Sequence, residues 1–173
     1  MIRIPKPEPD EHIAYYGKYI ALVGSDAMAA LRSQAATTAR LLAGVNESQA
    51  AFRYAPGKWS VKQVLGHVLD AERVFAFRAL CFARQDRTLL PGFDENAWVP
   101  AAGFDRHPLP ALLAECETVR AATIALFGSL EDSVLTRRGT ANGAEVSVRA
   151  LAHIIAGHEA HHVGLLRERY ALA

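Results

Sequence analysis

Cysteine is scarce in this chain: Cys81 and Cys116 are the two among 173 residues, and they form no CxxC pair. That argues against a disulfide framework, and both are expected to be reduced core residues of a cytoplasmic protein. Net charge is equally small, +1, so there is no electrostatic footprint for nucleic acid or an anionic membrane. No apolar run is long enough to span a bilayer. The N-terminus, Met1-Ile2-Arg3-Ile4-Pro5, leads into polar, proline-rich sequence without the pattern of a signal peptide. β-Branched residues are scattered, and neither strand-like alternation with turn signals nor an internal repeat is evident.

Alanine, by contrast, is abundant, which favours helix. A hydrophobic fraction of 51% and a charged fraction of 21% are ordinary for a globular protein, and the length suits one domain over residues 1–173. Pro5, Pro7 and Pro9 predict an extended arm over 1–10. A short tyrosine-rich helix is expected between His12 and Val23. The first long helix is expected from Ser25 to about Ala43, with Gly44 as its stop.

The second long helix has the clearest start. Ser60 and Gln63 form a capping box, and Trp59 precedes it as half of a hydrophobic staple. Its apolar residues run to about Arg84. Residues 86–107 form a long connection with one short helix near Glu95 to Val99; loops this long are often functional or crossovers. A third helix should start near Pro108 and end near Phe127, and a fourth should run from Ser147 to about Tyr170. A polar loop is expected over 128–146. Four helices of similar length with two longer connections predict an all-α four-helix bundle.

The chemistry lies in histidines. His158 and His162 are four residues apart, so they stack on one face of the fourth helix, a common way to offer two imidazoles to one metal ion. Bundles place such sites between facing helices, and the second helix offers His67 next to its apolar stripe. His161 points about 100° from His162, and His153 roughly 140° from His158, so neither shares that face. Gly66 and Gly157 each precede a candidate ligand. A mid-helix glycine costs up to ~1 kcal/mol against alanine, which marks either a close approach or simply tight packing.

The string His158-Glu159-Ala160-His161-His162 also satisfies H-E-x-x-H. A protease of that kind needs a third ligand further along the chain and an edge strand to align substrate; neither is visible here. Glu159, about 100° from His158 on the helix, is expected to be a solvent-facing charge, with a supporting role behind the ligands as the alternative. Asp70, Arg78 and Arg169 share the helix faces of the histidines. Asp70 is a candidate to orient a ring, and the two arginines to grip a substrate carboxylate. Tyr16, Tyr19, Phe93 and Trp98 come from segments that would cover a pocket mouth.

Taken together, Tyr54-Ala55-Pro56-Gly57-Lys58-Trp59-Ser60, Val64-Leu65-Gly66-His67, Asp70-x-Glu72-Arg73, Pro91-Gly92-Phe93-Asp94 and Gly157-His158-Glu159-x-His161-His162 resemble the DinB-like superfamily, specifically its DinB_2 branch. The resemblance covers about Tyr15 to Tyr170. It implies an up-down-down-up four-helix bundle, often a homodimer, and a divalent metal, zinc or nickel, held by His67, His158 and His162. Members include bacillithiol transferases and mycothiol-dependent maleylpyruvate isomerase, and others described as metal-dependent hydrolases. The expected function is thus transfer of a low-molecular-weight thiol to a small electrophilic substrate. Hydrolysis is the alternative, and a non-catalytic helical binding or dimerisation module a further one. A thiol or a water on such an ion becomes acidic enough to react near neutral pH.

Overall fold

In the computed structural model, which describes residues 2–172, the chain runs down four long helices whose order in space differs from their order in sequence. Met1 and Ala173, the outer ends of the expected arm and of the chain, lie outside the described residues. The long helices are α2 (Ala27–Leu42), α4 (Val61–Ala83), α6 (Leu109–Gly128) and α7 (Val148–Tyr170), with short helices α1 (Ala14–Ile20), α3 (Glu47–Ala50) and α5 (Glu95–Ala102) between them. Around the bundle, α7 packs on α2 and α4, and α6 packs on the same two from the other side.

Two hydrophobic layers fix the helix directions. One layer gathers Leu41 and Leu42 from the end of α2, Val61 and Leu65 from the start of α4, Leu109 and Leu112 from the start of α6, and Leu166 and Tyr170 from the end of α7. The other gathers Met28 and Leu31, Phe75 and Phe82, Phe127, and Val148 and Leu151. Hence α2 and α7 run one way and α4 and α6 the other, an up-down-down-up bundle. Because α4 and α6 are parallel neighbours, the chain must travel back along the bundle between them. This is why the 84–108 connection is long, and it becomes a wall of the site.

The helix starts follow their caps. The Ser60 side chain accepts from the Gln63 amide at 3.1 Å and Gln63 Oε1 accepts from the Ser60 amide at 3.1 Å, both halves of the capping box. For α2 the cap is Asp26, one residue beyond the expected Ser25; its Oδ1 accepts from the Met28 amide and also from Ile4 N, both at 3.0 Å. That second bond ties the extended N-terminal arm to the bundle and buries Ile4 completely. No helix among the described residues is long and apolar enough to cross a membrane.

The 128–146 connection departs from the expected loop. It carries a two-stranded antiparallel hairpin, β1 (Arg138–Ala141) and β2 (Ala144–Ser147), with Arg138 opposite Ser147 and Ala141 opposite Ala144. The turn residues Asn142 and Gly143 both have positive φ, 53° and 73°, the combination a tight two-residue hairpin turn demands and Asn-Gly supplies. Strands of four residues are too short to display alternation, so Asn-Gly was their only legible mark. The hairpin pins the crossover: Leu90 N donates to Thr140 O and Asn142 N to Leu90 O, each at 3.0 Å.

Candidate metal centre

Between the two hydrophobic layers lies a polar one. His67 from α4 and His158 and His162 from α7 bring their rings together there, with centroids 4.8 Å, 4.9 Å and 4.5 Å apart. All three are at most 9% exposed. His158 Nε2 stands 3.0 Å from His67 Nε2 and 3.2 Å from His162 Nε2. The donor atoms all lie within 4.8 Å of one another.

The two separations at His158 Nε2 fit an ion better than they fit hydrogen bonds alone. A neutral imidazole nitrogen has either one proton or one in-plane lone pair, so His158 Nε2 cannot make two well-aligned bonds to its two neighbours. A tetrahedral ion ~2.1 Å from each nitrogen sets them roughly 3.4 Å apart and uses all three lone pairs. Electrostatics point the same way. Burial holds the His67 imidazole down at about 4, partly opposed by the Glu95 carboxylate. Burial, then the neighbouring histidines and Lys18, hold His162 at about 3, and the same influences drive His158 well below its ordinary value. Three imidazoles kept neutral near pH 7 are ready metal ligands.

The glycines explain how the helices come so close. A Cβ on Gly157 would sit 2.1 Å from the carbonyl oxygen of Tyr19, and one on Gly66 would meet the Phe104 ring at 2.4 Å. Both therefore serve tight packing, of α1 on α7 and of the crossover on α4, and not ligand approach. Docked by Gly157, Tyr19 lays its ring 5.4 Å from that of His158. Trp59, ahead of α4, packs its ring 4.9 Å from His67.

The triad borders a cavity of about 250 Å³ lined by His67 and His158 together with Tyr15, Tyr16, Tyr19, Phe75, Arg78, Phe93, Glu95 and Asn142. Its members come from α1, α4, the crossover, α5, the hairpin turn and α7. His162 opens instead toward a second cleft beside Trp59, Asn96 and Tyr170. Tyr16, Tyr19 and Phe93 thus stand where a pocket wall was expected, whereas Trp98 lines an outer apolar groove with Asp70 and Phe77.

Several expected roles are corrected. Glu159 does not face solvent: it is 5% exposed, and its carboxylate accepts from Thr38 Oγ1 and Arg120 Nη2, both at 2.5 Å. Arg120 also binds Glu72 through two bonds of 2.8 Å and 2.7 Å and the Leu31 carbonyl at 3.0 Å. The physical reason is that α7 is covered on several sides, by α1, α2 and α4, so a residue 100° from His158 still points inward. Asp70 meets Arg73, not a histidine ring. Arg169 is exposed and paired with Glu168 at the end of α7, away from the cavity. His161 is half-buried against Tyr19, and its ring touches His162 without joining the converging nitrogens. Both cysteines are free, and neither lines the triad cavity; burial pushes the Cys116 thiol up to about 12. Glu95, Asn142 and the Arg120 network escaped the sequence reading.

An up-down-down-up bundle with three converging, neutral histidines between the antiparallel neighbours α4 and α7 defines a class: helical-bundle proteins with a candidate inter-helix metal centre. The profile of the DinB superfamily matches residues 30–166, and the chain belongs to that superfamily. It is 27% identical over 147 residues to a Geobacillus kaustophilus protein named "putative metal-dependent hydrolase", with 82% of this chain and 83% of that protein covered. A Geobacillus thermodenitrificans protein of the same description is 25% identical over 137 residues, covering 78% and 77%. Among solved structures, YfiT from Bacillus subtilis, described as a "probable metal-dependent hydrolase with an unusual four-helix bundle topology", superposes with a TM-score of 0.72 at 20% identity, over 97% of this chain and 95% of that one. That likeness establishes the fold.

Proposed function

We propose that the protein is a divalent-metal-dependent enzyme acting on a small molecule, with the ion held by His67, His158 and His162. The carrying observation is the convergence of three buried imidazoles, with His67 and His158 bordering a cavity that also holds acidic and basic side chains. A zinc or nickel ion there supplies Lewis acidity and makes a small nucleophile acidic enough to attack near pH 7. The chain's own residues do the rest. Glu95, at the start of α5, is the carboxylate that lines the same cavity as His67 and His158, so it is the one placed to take a proton from the nucleophile. The tyrosine and phenylalanine rings wall one side of the triad.

Hydrolysis, with water as the nucleophile, is favoured by Glu95 and by the names of the two Geobacillus relatives. Transfer of a low-molecular-weight thiol is the second reading. The aromatic wall suits a polarizable sulfur, and since neither Cys81 nor Cys116 lines the cavity, that sulfur would belong to a small molecule.

Elemental analysis of the purified protein is expected to find about one divalent ion per chain, lost in His67→Ala and in His162→Ala. Full retention of metal in both variants would falsify the site. The loaded protein, offered ester and amide substrates in one series and a thiol with an electrophile in another, separates hydrolysis from transfer. A chain that takes up no metal, and whose melting temperature ignores chelator, would be the non-catalytic helical module. Homodimerisation is a separate proposal: Phe77 and Leu80, one turn apart on α4 and 57% and 37% exposed, are the surface to probe. Light scattering should give twice the chain mass for the wild type and the single-chain mass for Phe77→Glu; a wild-type monomer would end the proposal.

A further inference from the structure

The cavity beside the triad contains one feature that the metal chemistry does not use. Arg78 is 3% exposed, yet no carboxylate among the described residues forms an ion pair with it. The other buried arginine, Arg120, differs in this respect, as does the half-buried Arg149. Arg120 is gripped by Glu72 and Glu159, and Arg149 by Glu11. Buried charges are paired as a rule, because leaving one unpaired is costly. The polar neighbours of Arg78 are neutral: Nη2 donates to the Pro91 carbonyl at 2.8 Å, and the Tyr16 hydroxyl stands within interacting range. A guanidinium has five N–H donors in a rigid fork, so these partners leave donors over.

The guanidinium is also held in place. Its carbon lies 5.6 Å from the centre of the Phe75 ring, and that ring is 6.1 Å from His158. Pro91 is fixed because the hairpin pins Leu90 from both sides, and Asn142, from the hairpin turn, lines the same cavity as Arg78. Fixing a donor before the ligand arrives reduces what binding must spend on ordering.

We propose that this cavity binds a carboxylate-bearing substrate, with Arg78 as the anion-recognising residue and Tyr16 and Asn142 beside it. The inference rests on the metal-dependent reading above for the reacting end of that substrate. Arginine's fork matches a carboxylate with two parallel hydrogen bonds. A dianion such as a phosphate monoester fits less well, since Glu95 lines the same chamber and repels a second negative charge. The spacing limits size. Through the shared Phe75 ring the guanidinium carbon stands no more than about 12 Å from the His158 ring, and the cavity holds about 250 Å³, so the substrate is a small acid.

The test uses two hydroxamates, metal-seeking at one end, that carry either a carboxylate or a carboxamide at the other. Titration calorimetry of the zinc-loaded protein is expected to show the acid binding about tenfold or more tightly than the amide. In Arg78→Met that preference should fall to about twofold, with amide affinity and metal content unchanged. Arg78→Lys, which retains charge without the fork, should fall between and covers the case in which the methionine variant does not fold. Equal binding of acid and amide by the wild type, or a full preference persisting in Arg78→Met, overturns the proposal. So does a phosphonate analogue that binds more tightly than the carboxylate. If the protein takes up no metal, the metal-dependent reading fails by itself. The same pair titrated into metal-free protein then decides: an Arg78-dependent preference supports the anion site, and its absence overturns it.

Discussion

Arg120→Met is expected to destabilise the protein by about 3–5 kcal/mol, the cost of breaking a buried charge cluster by removing one partner. Arg120 holds together α6, α4, α7 and α2: it binds Glu72 with two bonds, Glu159 with one and the Leu31 carbonyl with one. All three charged side chains are 5–7% exposed. Coulomb attraction and hydrogen bonding from the two carboxylates outweigh burial and raise the guanidinium's proton affinity, so it stays charged at every accessible pH. Without it, two carboxylates face each other in the core with only the Thr38 hydroxyl in support. Urea denaturation would measure the loss. Adding Glu159→Gln to Arg120→Met is expected to recover part of it, because one of the two stranded charges is removed. A single-variant loss under about 1 kcal/mol would show that water reaches the cluster.

The same cluster explains what the sequence reveals and what it hides. The capping box of Ser60 and Gln63, the i to i+4 pair of His158 and His162, and His67 beside an apolar stripe are all local patterns. Each is set by helical geometry alone, so each is legible without knowing the neighbours. The environment of Glu159 is not local. Counting 100° from His158 gives its direction but not whether a helix waits there, and α7 happens to be covered by α1 and α2 as well as α4. Arg120 and Glu72 are separated by 48 residues, and no spacing rule joins them. Arg78 and Arg169 looked alike as helix cations on histidine faces. Burial separates them: one lies beneath the crossover, the other at an open helix end. Glu95 reaches the triad only because parallel α4 and α6 force the chain back across the site.

Lowering the pH from about 6.5 to 5 should destabilise the metal-free protein through the triad. The folded protein holds His67 at about 4 and His162 at about 3, and His158 is likewise lowered. An unfolded chain returns each to about 6.5. Between those values the unfolded state binds more protons than the folded one, so stability rises with pH and falls as pH falls through 6.5 toward the folded values. At roughly 1.4 kcal/mol per unit, His67 alone accounts for up to about 3 kcal/mol across its full range. The groups facing the triad adjust this without reversing it. Lys18 and His161 add to the depression, while Glu95 opposes it at His67. The window above pH 5 leaves out the carboxylates with lowered proton affinity, such as Glu11 and Glu47, which lose their contribution only as pH drops below their ordinary 4.5; within it His153, also lowered by burial, adds to the triad's effect, and Asp70, raised by burial, works against it. Urea midpoints taken every half unit from pH 7.5 to 5 would trace the effect, and His158→Ala should flatten the slope. A bound ion should extend the loss to lower pH with little change of slope above pH 5, since the metal-free nitrogens already carry almost no proton there and an ion keeps them unprotonated further down. A midpoint that stays constant across this range would mean that the imidazoles are solvated in the metal-free protein, and the neutral, preorganised ligand set would have to be abandoned.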